Sequence, residues 1–161
     1  MSDQYSLVYS FPPVALLAPA ADAAGRTSSY RNLNNAQKAY VIVHINQGNA
    51  ATVQLSLTQA KDVLGTGAKA ISNVFPIFYQ GNTASSDANV QQTSAASFTT
   101  DANVYDKIVI FELLPEQVLD VANGFKTIAV TTGASNAANI VTATLHLYES
   151  YQGQSQPTTY V

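Results

Sequence analysis

Chemistry needs side chains that ionise, attack or ligate, and this chain of 161 residues holds few of them. The absence of cysteine excludes thiol catalysis, cysteine-based zinc sites and iron–sulfur clusters. There are two histidines, and no second one stands at ligand spacing from either. His44 lies inside AYVIVHI on the same face as Tyr40 and Ile42, where a hydrogen-bonded core histidine is expected. His146 shares a face with Thr142, Thr144 and Tyr148 and reads as a solvated, outward residue of a strand. Asp101 and Asp106 flank Asn103 in TTDANVYDK. That spacing is like part of a calcium loop, but the glycine and distal glutamate of an EF-hand are missing, so a turn-forming Asx cluster is expected. Gly65-Thr66-Gly67 before Lys69 lacks the wording and the strand–loop–helix setting of a phosphate loop. The ten acidic residues are scattered and form no paired-carboxylate constellation. These absences point to a protein that is not an enzyme, with no metal and no cofactor.

Aromatic residues are the more informative group. The chain has nine tyrosines and six phenylalanines but no tryptophan. Tyr5, Tyr9, Tyr30, Tyr151 and Tyr160 all fall in the termini or their margins, and Phe11, Leu16 and Leu17 add apolar bulk near the start. Tyrosine suits interfaces because its ring buries while its hydroxyl stays satisfied. These eight residues are therefore the candidate partner contacts. Sugar-stacking sites commonly use tryptophan, which is absent.

Charged residues make up 11% of the chain, against about 25% in an average domain. The 12 Asn, 12 Gln, 15 Thr and 14 Ser supply the polar surface instead. Amides and hydroxyls bond laterally without strong fields, which suits packing against other protein. A net charge of −3 argues against direct nucleic-acid binding, which calls for a basic face. No apolar run approaches the ~20 residues of a membrane span, and no like-charge run suggests a membrane-surface patch. Val14 to Ala21 is like the end of a signal peptide, yet no Lys or Arg precedes it and the apolar run is short.

The elements that must position these residues are β-strands. Residues 1–27 carry Pro12, Pro13 and Pro19 and read as an extended N-terminal arm, followed by a β-sandwich domain over 28–151 and a Gln/Ser/Pro tail over 152–161. Ala39–Ile45 and Lys107–Leu114 are apolar on both faces, as for central strands covered on both sides. Thr52–Gln59 alternates, with Val53, Leu55 and Leu57 on one face, and is expected to pair with the preceding strand in a hairpin. A second hairpin is expected from Phe125–Thr132 and Ile140–Tyr148 around TGASNAAN. Pro76 places Val74–Tyr79 at an edge or a bulge. Residues 81–97, with one short strand near Val90, are the best candidate for an exposed contact loop. Pro115-Glu116 starts a short helix that Asn123-Gly124 would cap. The fold class is all-β, an antiparallel sandwich; a jelly roll and an immunoglobulin-like Greek key stay equally open.

From Gly25 to about Tyr151 the wording itself adds something. GRTSSYRNLNNAQKAYVIVHINQGNAATVQLSLTQA, GTGAKAI, KIVIFELLPEQ and TGASNAANIVTA resemble small virion structural proteins of tailed bacteriophages and prophages, most of all capsid decoration (cement) proteins. The resemblance is one of phrasing and carries no catalytic residues with it. It implies binding to the major capsid protein and to neighbouring copies of the chain; a trimer would fit local threefold positions. It also implies a place on the capsid exterior after synthesis in the host cytoplasm. A tail or head–tail connector component, and a receptor- or glycan-binding module of a fibre or adhesin, are the alternatives.

Overall fold

The computed structural model of the protein describes residues 11–149 and 159–161. Two antiparallel sheets stack face to face, as the all-β reading expects. Sheet A runs β1 (Pro13–Ala21), β12 (Asn139–Glu149), β4 (Ala36–Gln47), β10 (Asp106–Leu113), β7 (Phe75–Gln80), β8 (Val90–Ala95). In sheet B, β2 (Arg26–Thr27) and β3 (Arg31–Asn32) lie in tandem along β11 (Thr127–Thr132), which pairs with β5 (Gln54–Ala60). The far side of β5 takes β6 (Lys69–Ala70) and β9 (Ser97–Thr99), again in tandem. Strand orders 1-12-4-10 and 2/3-11-5-9 are those of a jelly roll, with β6 to β8 inserted. This resolves the choice that periodicity leaves open.

Alternation along the strands builds the core. Val41, Val43, Val109, Phe111, Leu145 and Ile77 point inward from sheet A and meet Val53, Leu55, Leu57 and Val130, all fully buried. Phe75 and Phe111 pack edge to face at 5.4 Å, a favoured aromatic geometry. Pro76 falls at a register shift in the β7–β8 ladder, where its missing donor costs nothing.

Both expected hairpins are arches instead. β4 lies in sheet A and β5 in sheet B, and β11 and β12 are divided in the same way. The connections 47–54 and 132–139 stack on each other and replace the turn bonds of a hairpin. Asn139 Nδ2 donates to the Ala51 carbonyl at 2.7 Å, its Oδ1 accepts from the Asn49 N–H at 2.9 Å, and the Gly133 N–H donates to the Gln54 carbonyl at 2.8 Å.

The described part of the N-terminal arm is largely a strand of the sheet. β1 pairs with β12, and Val14, Leu16 and Leu17 are buried in the domain's own core. Prolines are tolerated there because β1 is an edge strand. Its register shifts leave carbonyls unpaired, and Arg26 covers them: Nη1 donates to Ala18 O at 2.9 Å, and Nη2 to Ala20 O at 3.1 Å and Val141 O at 2.8 Å. Its Nε meets the buried Asp22 carboxylate at 2.6 Å.

The expected single helix is two pieces. Pro115–Val118 forms α1 with proline in its first turn; Leu119 then turns extended, and a separate 3-10 turn spans Val121–Asn123. Gly124 closes that turn at φ 81°.

Candidate functional site

The outer face of sheet A is the feature with functional content. Ile42 stands opposite Ile110, which stands opposite Phe78, so an apolar row crosses the three central strands. Ile108 and Tyr40 flank it on neighbouring rows. These side chains are half-buried, whereas their inward neighbours Val41, Val43 and Val109 are fully buried. Among the described residues the two-faced apolarity of β4 and β10 is covered by a second layer, sheet B, on one side only, where the sequence leads one to expect cover on both. A contiguous, partly exposed apolar sheet face is a candidate contact surface.

Polar groups frame this row. At one end Lys38 and Glu112 pair at 2.5 Å beside Tyr40, and the hydrogen bond to Glu112 raises the lysine pKa. At the other end Asn46 donates to Asp106 at 2.6 Å, next to a shallow depression of about 320 Å³ lined by His44, Asn46, Thr83, Asp106 and Thr142. His44 is exposed there rather than in the core, because the face it shares with Tyr40 and Ile42 is the outer one. His146 is half-buried, with Nε2 3.4 Å from Thr144 Oγ1, and burial lowers its pKa.

A buried polar cluster adjoins this end. The Lys107 ammonium, fully buried, donates to Asp101 Oδ1 and Asp101 O, each at 2.8 Å, and to Gln47 Oε1 at 3.0 Å. Tyr79 donates its hydroxyl to Asp101 Oδ2 at 2.7 Å, and burial with this bond pushes the phenol pKa up. Burial works against ionisation of Asp101, but the bonds from Lys107 and Tyr79 outweigh it and leave its pKa below the ordinary value. Every donor of the ammonium is satisfied by the chain itself, so the cluster pins the 100–106 connection to β4. The Asx turn expected at Asp101 is present, its Oδ1 accepting from the Asn103 N–H at 2.9 Å. Sequence spacing gave no sign of this cluster, since Gln47, which accepts from Lys107, and Tyr79, which donates to Asp101, are both remote in the chain.

The glycine-rich segment before Lys69 is a turn organised by Asp62, whose Oδ1 accepts from the Leu64 and Thr66 N–H groups at 3.0 Å; Lys69 itself pairs with Asp120 at 2.5 Å. Among the described residues no group of three or more His, Cys, Asp or Glu could hold a metal ion, and no helix is long and apolar enough to cross a membrane.

Five of the eight expected partner contacts, Phe11, Leu16, Leu17, Tyr30 and Tyr160, fall among the described residues, and those five do not form one exposed surface. Tyr5, Tyr9 and Tyr151 lie outside the described residues. Leu16 and Leu17 belong to the core, and Phe11 stacks on Tyr148 at 5.5 Å. Tyr30 donates to Thr58 at 3.3 Å. Tyr160 is mostly exposed, but its ring lies 4.1 Å from the guanidinium of Arg31, and the Asn32 N–H donates to Thr159 O at 2.9 Å. The end of the expected tail is therefore docked on β3.

No family model matches the chain, and no curated protein matches it. Among solved structures the chain is similar to the SPBc2 prophage-derived protein YomS, at 8% identity over 85% of this chain and 92% of that one, with a TM-score of 0.46. A likeness at that level leaves function to be argued from the surface.

Proposed function

We propose that the protein is a non-enzymatic structural subunit of a phage virion that binds the capsid lattice from outside as a head decoration protein. The observation that supports this reading is the partly exposed apolar row Phe78–Ile110–Ile42 on the outer face of a sheet in a charge-poor chain. A sheet face is a stiff platform, so little ordering entropy opposes its docking. A modest contact repeated over a closed shell adds up through multivalency. The resemblance in phrasing to phage virion proteins suggests the partner, the major capsid protein.

Binding to purified shells that lack the protein tests this. Ile42→Glu and Ile110→Glu place a carboxylate in the half-exposed row and are expected to reduce shell binding at least tenfold while the fold persists by circular dichroism. Shell binding unchanged in both variants removes the outer face from the interface. Binding to tail structures but not shells replaces the head reading with the connector one.

A further inference from the structure

Sheet edges are directional surfaces, because each carries a row of backbone N–H and C=O groups aimed at no partner. In this protein the described edges are treated unequally. The β1 edge is blunted by Pro13 and Pro19 and by two register shifts. The edge strands of sheet B, β2, β3, β6 and β9, are two or three residues long. β8 is different. It spans six residues, VQQTSA, and contains no proline and no charge. Its register shift lies opposite Pro76, and from Val90 to Gln92 its pairing with β7 is regular. Four of its six residues are exposed, Val90 at 58%.

The geometry points to β8 as a self-association edge: two copies of this chain pair their β8 strands antiparallel about a twofold axis, joining two sheets A into one twelve-stranded sheet. A second copy is the occupant that β8 itself specifies. Gln, Thr and Ser side chains both donate and accept, so identical strands satisfy each other, and with no charge on β8 like meets like without repulsion. Twofold pairing also closes, using up the bare edge on both copies. Facing residues share a sheet face, so the register nearest the middle sets Gln92 opposite the partner's Gln92 and Gln91 opposite the partner's Thr93. Phe78 stands beside Gln91, so the apolar outer rows of the two copies lie on one face with a polar strip of Gln91 and Thr93 between them. Six residues bury less than a standard interface, so dimerisation in the micromolar-to-millimolar range is expected. The pairing is independent of any capsid, and its failure would leave the decoration reading standing.

The test uses the purified full chain. Sedimentation equilibrium is expected to show reversible dimer at high micromolar protein, and hydrogen exchange at amides 90–95 is expected to slow as concentration rises. Gln92→Lys sets ammonium groups near one another across the axis and should weaken dimerisation at least tenfold without lowering the melting temperature. Because the chain has no cysteine, a single thiol placed at Gln92 should crosslink faster than one placed at Leu64, which is 90% exposed. A monomer at 1 mM overturns the proposal. So does a dimer that Gln92→Lys leaves intact, or crosslinking at Leu64 as fast as at β8.

Discussion

The buried ammonium of Lys107 makes a quantitative prediction. Its side chain has no exposure, and the Asp101 carboxylate that neutralises it is 42% exposed. Asp101→Asn keeps the shape but removes the counter-charge and turns one of the two acceptor oxygens into an NH2 donor. A charge-assisted hydrogen bond is worth about 1.5–3 kcal/mol and a neutral one about 0.5–1.5 kcal/mol. The two carboxylate bonds, from Lys107 and from Tyr79, are both weakened. Solvent screening at the exposed carboxylate trims the sum, which leaves a loss of about 2 kcal/mol. Lys107→Met removes the charge instead; Gln47 Oε1 still accepts from Thr100, and Asp101 still accepts from Tyr79 and Asn103. That variant should lose about 1 kcal/mol, and the double variant no more than Asp101→Asn alone. Urea unfolding at pH 7 measures all three. Acid provides an internal check. The folded pKa of Asp101 lies below its unfolded value of 3.8, so its stabilisation is complete above that value and is lost as pH falls through the folded pKa. The gap between wild type and Asp101→Asn should then close toward pH 2. Single-variant losses that simply add in the double variant, or a gap that persists in acid, would refute the reasoning.

Further outcomes follow from the same structure. Arg26→Ala leaves the buried Asp22 carboxylate unpaired and three carbonyls uncovered; a loss of about 3 kcal/mol is expected by denaturant titration, with Arg26→Lys recovering less than half because it lacks the planar fork. Gly124→Ala meets open space and costs only its left-handed backbone, about 1 kcal/mol, whereas Gly25→Ala also drives a methyl to 2.6 Å from Thr132 O and should cost more in thermal melts. Burial holds the His146 pKa below its unfolded value of 6.5, so the folded state resists protonation; stability is full above 6.5 and falls as pH drops through the folded pKa. Between pH 8 and 5 the wild type should therefore lose more melting temperature than His146→Gln.

Much of this fold is legible in the chain, and the parts that are not share one cause. Alternation identifies Val53, Leu55 and Leu57 as an inward face because burial of one face imposes a period of two. Pro76 and Pro115 act through missing donors, a local property, and stand where that property predicts. Partner choice between strands is not local. The connection 47–54 reads as a hairpin in the sequence, and it is Asn139, 88 residues from Ala51, that holds it as an arch. For the same reason β1 reads as an arm: its prolines exclude helix, but only Arg26 and β12 make it an edge strand. The candidate surface was half legible. The apolar doubling of Ile42, Ile108 and Ile110 is in the sequence, but whether a layer covers it depends on topology.

Reconstruction of the assembled particle at side-chain resolution tests the central claim most directly. The account predicts density for this jelly roll on the outside of the head, with Phe78, Ile110 and Ile42 turned toward the major capsid protein. Density confined to the tail, or head density with that row facing solvent, would contradict it.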